Sequence, residues 1–385
     1  MTLSIYIEHP NQIKGLSNYA FKNIILDLPF CSIRSVKPHE WSLNEIKRLQ
    51  EINAETIYLN MDGLYSDSEL AIIKDEIIKQ NLMSCIDGFR IQDVGLIQWI
   101  RRHFPHKRIH LNPEIGIQNS IAIGELSKVK IDGFTFNHET EVAVMKTIVN
   151  QLPQIEFEIF AQGPILIQYS RRRFLSNLYN NNTSKPLQFD SEDPELEGRF
   201  FTFLDTQFGH FMFAHFHRSI AEYHHKLHDF PTVGLLIDAR GQTNDYLITS
   251  IDTYSSIKTL SQEQIEASIS KLQTLSKKPQ KPSFFLSNNT DYDWRDEQRS
   301  KLPAIGRILN AKKNESILLE FFENIPVSSP ITCINPDQTV SSIDISELLD
   351  LDQTKVTSIK PFKIYQLRLW QKGIQIKGAL YLKDS

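Results

Sequence analysis

Short apolar strand-like runs alternate with amphipathic helical patterns along roughly the first 240 residues, and this alternation restricts the fold more than any other feature. Helical spacing of apolar residues stands out in segments 68–80 and 94–104. Repeated strand–helix units predict a parallel sheet, and seven or eight of them favour a (β/α)₈ TIM-like barrel. No G-x-G-x-x-G follows a strand, which disfavours a dinucleotide-binding fold. The predicted strands lie in 23–28, 55–60, 86–91, 108–112, 131–136, 157–160 and 233–241.

Two polar stretches interrupt this pattern. Residues 177–199 are Asn-rich and acidic and predict a long loop at the barrel mouth, while residues 277–303 are rich in Lys, Pro and Asn and predict a connector. Beyond the connector, apolar residues alternate as in β-strands. We therefore predict a barrel over 1–250, a helical segment with connector over 251–303, and a small β-barrel-like domain over 304–385.

Overall charge and cysteine usage restrict the class of protein. The formal net charge of -4 provides no general attraction for nucleic acid, so any anion site must be local. The three cysteines lie far apart and contain no C-x-x-C pair. The N-terminal residues lack the long apolar run of a signal peptide, and no segment of 18 apolar residues occurs. These features predict a cytoplasmic protein without a membrane partner.

Segments 86–119 ("IDGFRIQDVGLIQWIRRHFPHKRIHLNPEIGIQN") and 155–176 ("IEFEIFAQGPILIQYSRRRFLS") resemble the collagenase-like peptidase family U32. The resemblance implies a TIM-like barrel with a C-terminal β-domain. It also implies an iron–sulfur cluster held by cysteines in and after an S-x-R-C turn, where this chain has Arg173. Residues 177–199 contain no cysteine, and Cys31 alone cannot hold a cluster. We therefore expect no cluster and no other cofactor.

Three arginines, 171 to 173, follow directly after the apolar stretch that ends near Tyr169. A buried guanidinium without a partner is too costly, so these side chains must meet water, an anion or an acidic segment. Strand alternation sends Arg171 and Arg173 to one side and Arg172 to the other. We predict that Arg173 faces the barrel mouth and, with Arg171, binds an anionic ligand. We also predict that Arg171 or Arg172 pairs with the acidic residues in 190–197.

Most of the remaining candidate site residues lie in or near predicted strands. Glu158 and Arg240 match positions of the U32 pattern, and we predict catalytic roles for them, with ion pairing inside the barrel as the alternative. Asp93, His110 and Asn119 belong to the first U32-like segment, and we predict that they bind ligand. Cys31 is a weaker nucleophile candidate because no histidine pairs with it in the sequence.

Half of the twelve histidines lie in segment 209–229. Read as a helix, this segment stacks His210, His217, His224 and His228 along one face. A straight row supplies at most two convergent ligands, so we predict a structural or interface helix rather than a metal site.

These features together predict a U32-like protein that binds an anionic or aromatic ligand at the barrel mouth. The ligand classes are an RNA segment, a peptide and a prephenate-like small acid. The resemblance implies a hydroxylation-type modification enzyme or its subunit. A peptidase and a non-catalytic partner of a cluster-bearing paralogue stay open as alternatives.

Overall fold

The computed structural model describes residues 2–34, 39–114, 116–178, 186–192, 199–227, 229–230, 232–286, 304–311, 316–335, 340–376 and 378–382. Two compact units emerge, one drawn from Met1–Ser191 and Phe200–Thr290 and the other from Glu192–Arg199 and Asp291–Ser385.

Eight parallel strands of the first unit close into a barrel, which confirms the predicted fold class. Strands β1 to β7 pair in chain order, and β11 pairs with both β1 and β7. The pattern in the sequence did not mark β1 as a strand. The strands of this unit are β1 (Leu3–Ile7), β2 (Ala20–Leu26), β3 (Asn53–Met61), β4 (Gly88–Ile91), β5 (Arg108–Leu111), β6 (Gly133–Phe136), β7 (Glu156–Ser170), β8 (Leu187–Glu192), β9 (Phe200–Thr206), β10 (Gly209–Ser219), β11 (Gly234–Ile237) and β12 (Gln280–Lys281).

Helices follow the barrel strands and cover the outside of the sheet. Several of them begin with a side-chain cap: the Ser66 hydroxyl accepts from the Glu69 backbone N–H at the start of α3. Within the described residues, no helix combines the length and apolar character needed to cross a membrane. The helices are α1 (Ile13–Leu16), α2 (Leu43–Lys47), α3 (Asp67–Lys79), α4 (Gly95–His103), α5 (Ser120–Lys128), α6 (Val142–Gln151), α7 (Phe174–Leu178), α8 (His224–Leu227), α9 (Asn244–Ser255) and α10 (Gln262–Ser276).

A strand layer, β8–β9–β10, extends from the barrel at β7. Strand β7 continues to Ser170, and its second half pairs antiparallel with β10. Gly163 allows this continuation because it has φ +138° and lies against the backbone carbonyl of Asp238, where a Cβ would clash. Part of the predicted loop 177–199 is therefore strand β8, and its residues 179–185 and 193–198 lie outside the described residues.

The helix predicted over 209–229 was wrong, because residues 209–219 form β10 and only His224–Leu227 is α-helical. Phe211 and Phe213 are buried on one face of the strand, as period-two alternation of aromatic residues requires. The pairing of β10 with β7 and β9 supplies the hydrogen bonds that a helix would have made internally. The 7-residue histidine spacing was compatible with a helix but did not require one.

The second unit is a curled antiparallel sheet, in agreement with the predicted β-rich C-terminal fold. Its strand order is β17-β16-β21-β13-β14-β20-β18, and β15 pairs separately with β19. Buried Ile308, Leu319, Phe321 and Leu380 contribute to its core. Its strands are β13 (Gly306–Ala311), β14 (Ile317–Phe321), β15 (Ile325–Pro326), β16 (Ile331–Ile334), β17 (Val340–Ile343), β18 (Leu348–Leu349), β19 (Ser358–Ile359), β20 (Lys363–Leu367) and β21 (Ala379–Leu382).

The domain boundaries at 250/251 and 303/304 stay predictions, and α9 is continuous across the first of them. Residues early in the predicted connector pack on the first unit: β12 pairs with β10, and Phe285 is fully buried. We therefore expect limited proteolysis, followed by mass spectrometry, to cut after residue 286 and before residue 304. A fragment ending at residue 290 should keep cooperative thermal unfolding, whereas one ending at residue 276 should lose it. Equal behaviour of the two fragments would contradict this boundary.

Candidate functional site

Carboxylates collect where the barrel strands end. Asp27, Asp62 and Asp238 each follow the last residue of a strand, β2, β3 and β11, and all three are buried. Glu8 follows β1 and is half-buried. Because parallel strands present their carboxyl ends at one edge, these four acids share the mouth at which TIM barrels place their active sites.

Arg240 neutralises much of this acidic mouth. Its Nε and Nη2 donate to the two carboxylate oxygens of Asp238 at 2.9 and 2.7 Å, and Nη1 donates to Asp62 at 2.7 Å and to Asp27 at 3.4 Å. The guanidinium also lies 3.8 Å from the ring centroid of Tyr6, inside the barrel. These hydrogen bonds occupy Nε, Nη1 and Nη2 and hold the Arg240 side chain in one position.

Arg34, from the segment after β2, is the second buried cation of the mouth. Its Nη2 lies 2.7 Å from Glu114, and its Nε lies 3.8 Å from Asp62. The two arginines therefore face five carboxylates, those of Glu8, Asp27, Asp62, Glu114 and Asp238. Burial raises the pKa of Asp27 to about 6 against the opposing charge of Arg240, and burial together with Asp27 raises the pKa of Glu8 to about 7. Glu8 can therefore exchange a proton near neutral pH.

A cavity of about 200 Å³ opens beside this cluster, between the mouth and the β8–β9–β10 layer. The wall of the cavity contains three cations, two acids and a histidine, and its other residues are uncharged. It is lined by Arg34, Pro164, Gln188, Asp190, Thr202, Leu204, Phe213, Ala214, His217, Asp238, Arg240, Gly241, Gln242, Ser276 and Lys278. We call this cavity the mouth pocket.

Lys278 enters the mouth pocket from the segment after α10. Its Nζ donates to the Phe200 carbonyl at 2.6 Å and lies 3.3 Å from Asp190. An ammonium group has three N–H donors, so these two contacts leave a third for a ligand. The side chain is nearly buried, which strengthens any charge interaction that it makes.

Comparison with known proteins identifies the family. The family model described as "Peptidase family U32" matches residues 9–295. The chain belongs to peptidase family U32.

The curated relatives of this U32 chain match it over part of their length. "tRNA hydroxylation protein P" from Escherichia coli (strain K12) is 31% identical over 94 residues, which cover 24% of this chain and 21% of the relative. The protein of the same name from Helicobacter pylori (strain J99) is 22% identical over 170 residues, covering 43% of this chain and 40% of the relative. The chain therefore spans about a fifth to two fifths of these relatives.

Solved U32 structures superpose on parts of the chain. A U32 peptidase matches 42% of this chain and 69% of its own at 10% identity, with a TM-score of 0.31. The C-terminal domain of a U32 peptidase from Geobacillus thermoleovorans matches 21% of this chain and 92% of its own at 10% identity, with a TM-score of 0.20.

Arg240 and Glu158, the two residues with predicted catalytic roles, lie at different depths in the U32 barrel. Arg240 lines the mouth pocket, as described above. Glu158 lies deep in the interior, where it accepts from Arg90 Nη1 at 2.8 Å, Asn23 Nδ2 at 2.7 Å and the Ser4 hydroxyl. Although burial opposes it, Arg90 holds the pKa of Glu158 well below its usual range. Catalytic roles for both residues stay predictions.

Predicted ligand-binding residues are not brought together. His110 lies beside Glu158, 2.8 Å from the Thr135 hydroxyl, and burial lowers its pKa to about 3. Asp93 accepts from the Gly95 N–H at 2.8 Å, and Asn119 caps α5 by accepting from the Ala122 N–H at 2.9 Å. Ligand binding by these three residues stays a prediction.

The arginine triplet begins directly after the last residue of β7. The half-exposed Arg171 forms a bidentate pair with Glu69 of α3 at 2.8 Å, rather than with the acidic residues near β8. Arg172 is exposed and Arg173 is half-buried, directly before α7. Residues 193–197, the other predicted partners, lie outside the described residues. The predicted orientation of Arg173 toward the mouth stays a prediction.

The described residues do not form the predicted histidine row, because His210 and His217 lie on β10 whereas His224 lies on α8. His210 Nδ1 contacts the Asp205 carboxylate at 2.6 Å, and His217 Nδ1 contacts the Tyr246 hydroxyl at 3.1 Å. His224 belongs to α8, and His228 lies outside the described residues. Among the described residues, no group of three or more His, Cys, Asp or Glu side chains could hold a metal ion.

The cysteines of this U32 chain are all buried thiols. Cys31 lies near the mouth, with its Sγ 3.3 Å from the Asn60 carbonyl, and burial raises its pKa well above the usual value. Cys333 belongs to β16 in the second unit. A buried, protonated thiol is a poor nucleophile and a poor metal ligand.

Sequence reasoning missed Asp27, Asp62, Arg34, Lys278 and Glu8. A usable signal existed for the two aspartates, since Asp27 lies near the end of the predicted strand 23–28 and Asp62 lies two residues beyond the predicted strand 55–60. Lys278 carried no such signal, because it lies in a stretch that the sequence predicts as connector.

Proposed function

We propose that this U32 chain takes part in tRNA hydroxylation, as the enzyme or as a subunit, and that the mouth pocket binds a small anionic ligand of that reaction. The observation that carries the proposal is the mouth pocket itself, where three cations, Arg34, Arg240 and Lys278, outnumber the two acids, Asp190 and Asp238, in the wall of one cavity. The relatives named for tRNA hydroxylation support the reaction class.

The size of the mouth pocket restricts the ligand. Its volume of about 200 Å³ lies below the range of roughly 300–1,000 Å³ that is common for drug-sized ligands. One ring or a small acid fits such a space, whereas a folded RNA segment does not. Cationic donors beside Leu204, Phe213 and Pro164 suit an acid with an apolar body, and a prephenate-like acid belongs to this class.

The exposed arginines extend the proposal to RNA. Arg171 and Arg172 are exposed at the end of β7, and Arg173 follows them. Guanidinium groups at this position can contact phosphates while the mouth pocket holds the small ligand. We expect Arg173→Ala to weaken binding of tRNA, measured by filter binding, while changing the free energy of unfolding by only about 1 kcal/mol.

The alternatives receive less support. A peptidase that used Cys31 would need an exposed thiolate, but this thiol is buried and protonated. A non-catalytic partner of a cluster-bearing paralogue stays compatible with the proposal, because such a partner can contribute the ligand pocket to a shared reaction.

Mass spectrometry of tRNA nucleosides in the source organism tests the proposal. We expect loss of the gene to remove a hydroxylated nucleoside, complementation to restore it, and Lys278→Gln to restore it poorly. Lys277→Gln is the matched control, since Lys277 is the exposed neighbour of Lys278. Unchanged tRNA nucleosides after loss of the gene would refute the proposal, and equal restoration by both variants would remove Lys278 from the site.

A further inference from the structure

His217 holds a defined place in the wall of the mouth pocket. It belongs to β10, opposite Pro164 of β7 and Gln280 of β12, and its backbone N–H donates to the Pro279 carbonyl at 2.8 Å. The side chain is only 4% exposed, and the exposed part lines the mouth pocket. Strand pairing on both sides therefore fixes the backbone position from which the ring projects.

A chain of hydrogen bonds favours one of the two neutral tautomers of His217. Gln280 Nε2 donates to the Lys278 carbonyl at 3.0 Å, which turns Gln280 Oε1 toward Gln162 Nε2 at 2.7 Å. Gln162 Nε2 also donates to the Tyr246 hydroxyl oxygen at 2.6 Å. The Tyr246 hydrogen is then available for His217 Nδ1, 3.1 Å away. An Nδ1 that accepts a hydrogen bond leaves the proton of a neutral ring on Nε2.

We propose that His217 is a ligand-recognition residue whose Nε2–H donates to an acceptor oxygen of the molecule in the mouth pocket, with Tyr246 and Gln162 as its positioning residues. The inference rests on the ligand pocket of the proposed function and adds the atom that recognises the ligand. The acceptor is a carboxylate, phosphate or keto oxygen.

The charges around His217 favour the neutral ring. Burial, assisted by the nearby Lys278 cation and opposed by Asp238 and Asp190, lowers the pKa of His217 to about 4. Burial also raises the pKa of Tyr246, so its hydroxyl keeps the hydrogen that it donates. The neutral His217 ring carries no positive charge, so it distinguishes ligands through the hydrogen bond that Nε2–H donates. A ligand that offers only N–H groups at this position would leave Nε2–H unpaired.

Nitrogen-15 NMR of histidine-labelled full-length protein tests the tautomer directly, with the His217→Gln spectrum assigning the signals. We expect a protonated Nε2 and an unprotonated Nδ1 from about pH 5 to pH 8. Benzoate should shift the Nε2 signal, and benzylamine, a cation of similar shape, should not. An Nδ1–H tautomer, a titration near pH 6.5, or no response of Nε2 to benzoate would each overturn the inference.

Two substitutions measure the contribution of the donor. His217→Leu should weaken benzoate binding about tenfold or more, whereas His217→Gln, which keeps an N–H donor, should weaken it much less. Tyr246→Phe should release the ring to mixed tautomers, and the wild-type spectrum decides the question if this variant does not fold. The tautomer and the benzoate response can hold even if loss of the gene leaves tRNA unchanged. In that case only the proposed function fails.

Discussion

Replacing Arg240 by Ala is expected to lower the free energy of unfolding at pH 7 by about 3–5 kcal/mol, the usual cost of leaving buried charges without their partner. The variant leaves Asp27, Asp62 and Asp238 without the guanidinium that pairs with all three, although Arg34 stays 3.8 Å from Asp62. Urea unfolding monitored by circular dichroism measures the change. Arg171→Ala is the control, because its pair with Glu69 is half-exposed and should contribute less than about 1 kcal/mol.

A lower pH should reduce the loss of unfolding free energy that the Arg240→Ala substitution causes. The folded-state pKa of Asp27 is raised to about 6 in the native chain, and loss of Arg240 raises it further. A carboxyl with a raised folded-state pKa gains stability as the pH falls through that value, since the folded state then binds more protons than the unfolded state. The difference between wild type and variant should therefore shrink from pH 7 to about pH 5. A difference independent of pH would show that packing, not charge, determines the loss.

Replacing Glu158 by Leu is expected to cost about 3–5 kcal/mol, because it leaves Arg90 fully buried without its carboxylate. Arg90 also donates to Thr135 at 2.7 Å and to Tyr6 at 3.2 Å, and neither partner carries a compensating charge. The double variant Arg90→Met/Glu158→Leu removes both charges, and we expect most of the stability to return. Chemical unfolding of the wild type, the two single variants and the double variant gives a double-mutant cycle for the Arg90–Glu158 pair.

The same cycle separates a structural role of Glu158 from the predicted catalytic one. Tyr6 and Arg240 lie between Glu158 and the mouth pocket, which favours a structural role. A stable double variant that still restores the tRNA nucleoside would leave no catalytic role for Glu158. A stable double variant that fails to restore it would support the catalytic prediction.

Much of the barrel was predictable from the sequence because each buried parallel strand is a short apolar run. Segments 55–60 and 108–112 lie almost wholly within β3 and β5. β10 was not predictable in the same way, since its Phe and His residues allow both a period of two and a helical spacing. Pairing with β7 and β9 decided between them.

The sequence could identify several candidate residues, but it could not show which residues they contact. The sequence marked Arg171, Arg173, Glu158 and Arg240 as charges that a fold must accommodate. It could not show that Arg171 pairs with Glu69, which is 102 residues away in the chain, or that Glu158 lies with Arg90 inside the barrel.

The sequence by itself determined the repeating strand–helix units, the U32 resemblance and the position of the arginine triplet after a strand, because these depend on local periodicity and short motifs. Only the tertiary structure decided that Arg34, His217, Arg240 and Lys278 line one pocket and that Gln162 Nε2 contacts both Gln280 and Tyr246. Closure of the barrel brings together residues more than 200 positions apart, and burial there changes both their pKa values and their hydrogen-bond partners. No local pattern records those distances.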